Sequence, residues 1–235
     1  MAVTFVSSSV VNNGDTPSEP AGATTDDVFF AMLSVESNTV TFTPVAAWNL
    51  IHRTTAISPG VGPFQQAVYW FRRTGSAPSF DFGSSSEADT HVVVACMRGV
   101  VSSGDPHSTY SFASGDDTSY EFATLTPSVT DCYLLGLLNM LNWDTLNHQP
   151  GAPHFEGESL DQGGTGPLHI VYGIAGTTTT GIYPSTSATG TINASGNTGW
   201  GATLIAVAGS VVTPFMCTSS RQRARPAPFR PGIAR

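Results

Sequence analysis

Short apolar runs rich in β-branched and aromatic residues alternate with clusters of Gly, Pro, Ser and Asp along most of this 235-residue chain. That rhythm predicts strands, because strand side chains alternate between two faces and turn residues punctuate the runs. Strands are expected near 2–11, 27–36, 39–43, 48–57, 64–73, 79–83, 90–98, 119–124, 131–141, 168–175 and 201–208. The alternation is plainest at Val40/Phe42 and Phe80/Phe82. Phe29-Phe30 and Val92-Val93-Val94 are apolar at consecutive positions, which suits strands covered on both sides. The Leu-rich run from Tyr133 to Leu141 has the composition of a helix as well. It is read as a strand, since Thr126-Pro127 and Val129-Thr130 ahead of it supply no convincing helix cap. Turn signals fall between the runs at Asn13-Gly14-Asp15, Pro59-Gly60, Gly75-Ser76, Gly104-Asp105-Pro106, Gly115-Asp116 and Gly196-Asn197.

The expected fold is therefore all-β: a single antiparallel β-sandwich, jelly-roll-like, over residues 1–220. Two stretches interrupt the strand pattern. Residues 142–167 are rich in Gly, Pro and acids, and residues 176–199 are almost all Thr, Ser, Gly and Ala. Both read as long loops, and loops of that length in a compact domain usually serve contacts.

Composition narrows the chemistry. All nine basic residues are Arg, and the chain has no Lys. That removes the phosphate-loop lysine, the kinase β3 lysine, Schiff-base lysines and Ser-x-x-Lys acylation sites. The first residues, MAVTFVSSSVV, lack the basic and long apolar regions of a signal peptide, so none is expected. With no apolar run of membrane-spanning length, no membrane partner is expected either. Cys96, Cys132 and Cys217 show no paired spacing; Cys96 and Cys132 read as buried thiols of a chain that folds in a reducing host cytoplasm.

Charge is unevenly divided. Residues 1–220 hold four Arg against seventeen Asp and Glu, a formal charge of −13. The last fifteen residues, RQRARPAPFRPGIAR, hold Arg221, Arg223, Arg225, Arg230 and Arg235 with no acid. Pro226, Pro228 and Pro231 favour an extended path, and Phe229 and Ile233 supply apolar anchors. The composition also fits a solvated tail. The opposition of charge favours an arm that binds another copy of the chain or a neighbouring acidic surface. Nucleic acid is not an expected partner of so acidic a body.

No motif for catalysis or a cofactor emerges. Asp144, His148, His154, Glu156, Glu158 and Asp161 gather imidazoles and carboxylates, but in no spacing of a known metal motif, and no metal is expected. The six His leave a triad possible by inventory, yet Gly-x-Ser-x-Gly is absent. His91 and His169 start strands and read as satisfied histidines; His107 reads as a turn residue. The run Gly163-Gly164-Thr165-Gly166 does not join a strand to a helix, so it is no phosphate cradle. Trp48 and Trp70 fall in strands and read as core, whereas Trp143 and Trp200 flank loops and are candidate exposed contacts, for instance with a host glycan.

The order of segments resembles that of a known group. Pro20-Ala21-Gly22 leads into Asp26-Asp27-Val28-Phe29-Phe30-Ala31, and Thr41–Pro44 precedes a strand opening with Trp48-Asn49-Leu50-Ile51. Then follow Tyr69-Trp70-Phe71-Arg72-Arg73, Ser79-Phe80-Asp81-Phe82 and the run from Val92 to Val100. This resembles the β-sandwich structural proteins of tailed-bacteriophage virions, either capsid decoration or minor tail proteins. The resemblance spans roughly residues 1–210; the basic arm and the absence of Gly before Trp48 fall outside it. It implies a non-enzymatic virion protein on the outer surface, assembled as a homo-oligomer beside major capsid or tail proteins, with no catalytic residue and no cofactor. Capsid decoration is the favoured role; the alternative is a tail-associated receptor- or glycan-binding module.

Overall fold

A computed structural model describes residues 3–11, 13–35, 37, 39–45, 47–57, 63–86, 90–115, 119–129, 132–140, 145–147, 156–160, 168–177, 188–193 and 200–210. Its thirteen strands are β1 (Thr4–Val11), β2 (Val28–Val35), β3 (Asn49–Ile57), β4 (Phe64–Arg72), β5 (Thr90–Arg98), β6 (His107–Gly115), β7 (Ser119–Phe122), β8 (Cys132–Met140), β9 (Thr145–Asn147), β10 (Glu156–Leu160), β11 (Leu168–Thr177), β12 (Ala188–Asn193) and β13 (Trp200–Ala208). They form two five-stranded antiparallel sheets, ordered β1-β5-β2-β4-β3 and β10-β11-β8-β13-β6, and a three-stranded sheet β7-β12-β9. The antiparallel sandwich is as the sequence led us to expect. Within it the strands are partitioned by halves of the chain, rather than exchanged between sheets as successive Greek keys would exchange them.

Strand parity explains the core. On β2, Val28, Phe30 and Met32 face the second sheet, meeting Tyr133, Leu135 and Leu137 of β8 and Ile205 and Val207 of β13. The intervening residues Phe29, Ala31 and Leu33 face the opposite way, into a second buried layer with Trp48, Tyr69, Phe80, Phe82 and Cys96. Thus β2 and β5, expected to be covered on both sides, are central strands and buried throughout. A buried polar link crosses the gap between the sheets. The buried Gln66 on β4 donates to Gly201 O at 3.2 Å and accepts from Thr203 Oγ1 at 3.1 Å, both on β13.

The outer layer is where the strand reading needs correcting. Residues 39–43 and 79–83 do not form strands; the pairing is reduced to one isolated bridge, Phe42↔Ser84, just past the second segment. Instead they fold into a lid over the outer face. Thr43 N donates to Phe82 O at 3.0 Å, Val45 N to Asp81 O at 3.0 Å, and Ser85 N to Thr41 O at 3.0 Å. Asp15, itself buried, accepts from Ser84 N at 2.7 Å and ties the lid to the end of β1. Aromatic rings fill the space beneath: Trp48 lies 4.9 Å from Phe82, and Phe29 meets Phe80 edge-on at 5.4 Å.

Gly83 lets the lid close. Its φ is +55°, and a Cβ there would sit 2.5 Å from Thr43 O, a backbone atom that cannot swing aside. Gly83→Ala is expected to cost about 2–3 kcal/mol, combining left-handed strain with the clash. Equilibrium denaturation should detect it, and a variant as stable as the parent would show that the lid contributes little.

The stretches 142–167 and 176–199, read as loops, contribute the short strands β9, β10 and β12. A strand that the pattern did not suggest is β6, between the two turn signals around residues 104–106 and 115–116. Edges are managed. Ser7 and Ser9 of β1 donate to Ala21 O and Ser18 O, so the chain that follows β1 covers that edge. Alongside β6, Ser111 Oγ donates to Ala123 O at 2.6 Å, and Ser128 Oγ to Ser108 O at 3.4 Å. β3 carries two register shifts, a device that twists an edge away from further pairing.

Candidate functional site

On the side of the sandwich where β3 lies over β6, aromatic rings of the two strands meet. The register shift between Leu50 and His52 sets His52 opposite Val68, a residue of the inter-sheet core, so the imidazole turns into the gap. There it packs on Phe112 at 4.6 Å and Tyr110 at 5.6 Å between ring centroids. His107 begins β6 opposite Val207, another inter-sheet residue, and its ring lies 6.3 Å from that of Tyr110. His52 Nε2 and His107 Nδ1 are both buried, and no protein group among the described residues hydrogen-bonds to either. Burial lowers the pKa of both imidazoles, while the Asp105 charge partly opposes the shift at His107. Both rings are therefore neutral at pH 7. Tyr110 is 40 % exposed and marks where this seam meets solvent.

The end of β4 adds a cation. Val68 and Trp70 face the second sheet, and Arg72 continues that parity, opposite Val28. Its Nη1 and Nη2 are buried and find no acceptor among the described residues. Burial lowers the Arg72 pKa, opposed by the charge of Asp26. Arg73, one position on, takes the outer face, where its Nη1 pairs with Glu19 at 3.2 Å and donates to Ala23 O, while its buried Nε finds no acceptor among the described residues.

A second charged cluster is structural. Asp27, almost wholly buried, receives Arg98 Nε at 2.9 Å, Arg98 Nη2 at 2.7 Å and Thr24 N at 2.7 Å. Arg98 Nη2 also donates to Gly22 O at 2.9 Å, so the Pro20-Ala21-Gly22 turn is fastened to the end of β5. Burial works to raise the Asp27 pKa, but the Arg98 hydrogen bonds, the Thr24 amide and the Arg98 charge outweigh it and the net shift is downward. Beside it, burial together with the Asp27 charge pushes the Cys96 thiol up to about 12, which leaves a neutral, unreactive sulfur. Cys96 and Cys132 are both buried, as expected of thiols within apolar strands.

The residues singled out from sequence fare differently. Arg221, Arg223, Arg225, Phe229, Arg230 and Arg235 lie outside the described residues, as do Trp143, Asp144, His148, His154 and Asp161. Glu156 and Glu158 are placed on β10. Trp200 corrects the expectation of an exposed contact: it opens β13, is only 4 % exposed, and lies so close over Gly115 that a Cβ there would approach its ring to 2.7 Å. His107 is likewise no turn residue but the first residue of β6. His91 is buried and its Nδ1 accepts from Asn13 N at 3.3 Å, as a satisfied core histidine should. Trp48 is core and Trp70 packs at its margin.

Among the described residues, no three His, Cys, Asp or Glu side chains are grouped to hold a metal ion. Arg72 and His52 did not stand out in the sequence. The available signal was parity: Val68-x-Trp70-x-Arg72 puts an arginine on the face its apolar neighbours bury. Comparison of the chain with protein families, with curated proteins and with solved structures finds no match.

Proposed function

We propose that this chain is a non-enzymatic structural protein of a tailed-phage virion, a capsid decoration protein that binds neighbouring subunits through its basic C-terminal arm. The observation that carries this reading is the anchoring of Ser210. Its amide donates to Gly99 O at 2.9 Å and its hydroxyl to Val100 O at 2.7 Å. Ser210, the last described residue before the arm, is therefore fixed at the rim of the sandwich. A fixed base reduces the conformational freedom that an arm must give up on binding. The charge of −13 on residues 1–220 gives the five arginines beyond them an acidic surface to bind on a neighbouring copy. The doubly covered sheet supports a load-carrying rather than a hinged role, and the segment resemblance supports a virion setting.

Deleting residues 221–235 should leave the unfolding midpoint unchanged and abolish self-association at low salt. Sedimentation of both forms at about 50 mM and about 500 mM salt checks this, since the higher salt screens arginine–carboxylate attraction. Identical sedimentation of the two forms, with or without salt, would remove the arm from the account. Imaging of particles that carry the protein then separates a capsid from a tail position. The alternative of a glycan-binding tail module loses Trp200, whose ring is buried beneath Gly115.

A further inference from the structure

We propose that the end of the inter-sheet seam, between Arg72 of β4 and His107 of β6, is a binding site for a small carboxylate with a flat apolar body. The placement follows from register. Arg72 is opposite Val28, His107 is opposite Val207, and Val28 and Val207 belong to the same inter-sheet core cluster. Both side chains continue the inward parity of their strands, so both enter the gap at the same end of the sandwich. That end is the one where Val101 N bonds to Ala208 O and ties the sheets together.

The chemistry of the ligand follows from what these groups lack and what surrounds them. Arg72 presents two buried Nη groups, each with unused donors, and His107 one buried ring nitrogen; none has a protein partner among the described residues. A planar guanidinium with two free donors matches the two oxygens of a carboxylate. The neighbouring side chains are apolar or aromatic: Val28, Trp70, Val207 and Tyr110. Such surroundings admit a singly charged anion more readily than a phosphate, whose second charge would have to be desolvated as well. Trp70 and Tyr110, both partly exposed, are the rings available to flank a flat body at the mouth. The titratable groups facing the site are His52 and Tyr110 on the seam, Asp26 beside Arg72, and Asp105 beside His107. The two acids are exposed at the rim, where solvent screens their repulsion of an anion.

An arginine kept for a ligand has a signature that a structural arginine lacks. Burying an unpaired guanidinium is unfavourable, so Arg72→Met should raise the unfolding midpoint by about 3 °C while abolishing binding. The probe is 4-fluorobenzoate, observed by fluorine NMR with the full chain. Saturable binding in the millimolar range or tighter is expected, displaced by benzoate and not by an equal concentration of inorganic phosphate. Arg72→Met should weaken it at least tenfold. Lowering the pH through the His107 pKa, which burial holds below the ordinary 6.5, should tighten it, because the protonated ring adds a donor. On the unaltered protein, benzoate should raise the midpoint and the neutral isostere benzamide should not. Overturning results are absence of saturable binding, equal displacement by phosphate, equal stabilisation by benzamide, or an Arg72→Met variant that is less stable yet still binds.

Discussion

Replacing Asp27 by Ala is expected to destabilise the protein by about 2–3 kcal/mol, less than for a fully buried ion pair, because the Arg98 side chain left behind is 42 % exposed and can be hydrated. The carboxylate is 1 % exposed and accepts from Arg98 and from Thr24, so its removal leaves the β5 end and the preceding turn without a common anchor. Arg98 Nη2 would keep Gly22 O and Thr24 Oγ1 but lose its counter-charge. Urea denaturation at neutral pH measures the effect, and a loss under 1 kcal/mol would mean that solvent already carries most of the pair. The same site sets an acid limit. The Asp27 pKa is lowered in the fold from its ordinary 3.8, so its contribution is present above that value and disappears as pH falls through the lower, folded-state value. Stability should therefore decline below about pH 4. Asp27→Asn should be weaker at neutral pH and lack this part of the acid sensitivity.

Trp200→Ala should cost about 3–5 kcal/mol, as for other buried aromatic truncations. Its ring fills the space that Gly115 leaves on the adjacent strand, and its backbone pairs with both Gly115 and Met140. A tryptophan serving as an exposed contact would instead be removed at almost no cost to the fold. Thermal unfolding of the variant discriminates between the two: a midpoint within about 1 °C of the parent would restore the exposed reading. The reverse substitution of space, Gly115→Ala, presses on the same ring from the neighbouring strand.

The fold was readable where burial is two-sided. Phe29-Phe30 and Val92-Val93-Val94 can be satisfied only by strands with cover on both faces, and β2 and β5 have it. The Leu-rich β8 was ambiguous by composition; its antiparallel register with β11 and β13 is a tertiary fact. β6 was missed because its apolar residues are few: in HSTYSFASG only Tyr110 and Phe112 mark the inward face, and a register shift breaks the alternation beside His107. The lid was over-read for the opposite reason. Val40, Phe42, Phe80 and Phe82 alternate as strand residues do, yet one bridge is all the pairing they achieve. Alternation records which side chains are buried, not whether the backbone finds a ladder. The seam at His52, Arg72 and His107 was not legible, since residues of β3, β4 and β6 meet only once the two sheets are stacked.

The division of the sandwich by halves has a consequence for synthesis on the ribosome. Every strand of the first sheet lies between Thr4 and Arg98, so that sheet is complete in the nascent chain before β8 and β13 exist. At ordinary elongation speeds the delay until Ala208 emerges is on the order of ten seconds. Throughout that interval Phe30, Met32, Val93 and Met97 form an uncovered greasy plane. Nascent chains stalled when Arg98 has just left the ribosome should bind chaperones through that plane, and chains lengthened until Ala208 has left it should release them.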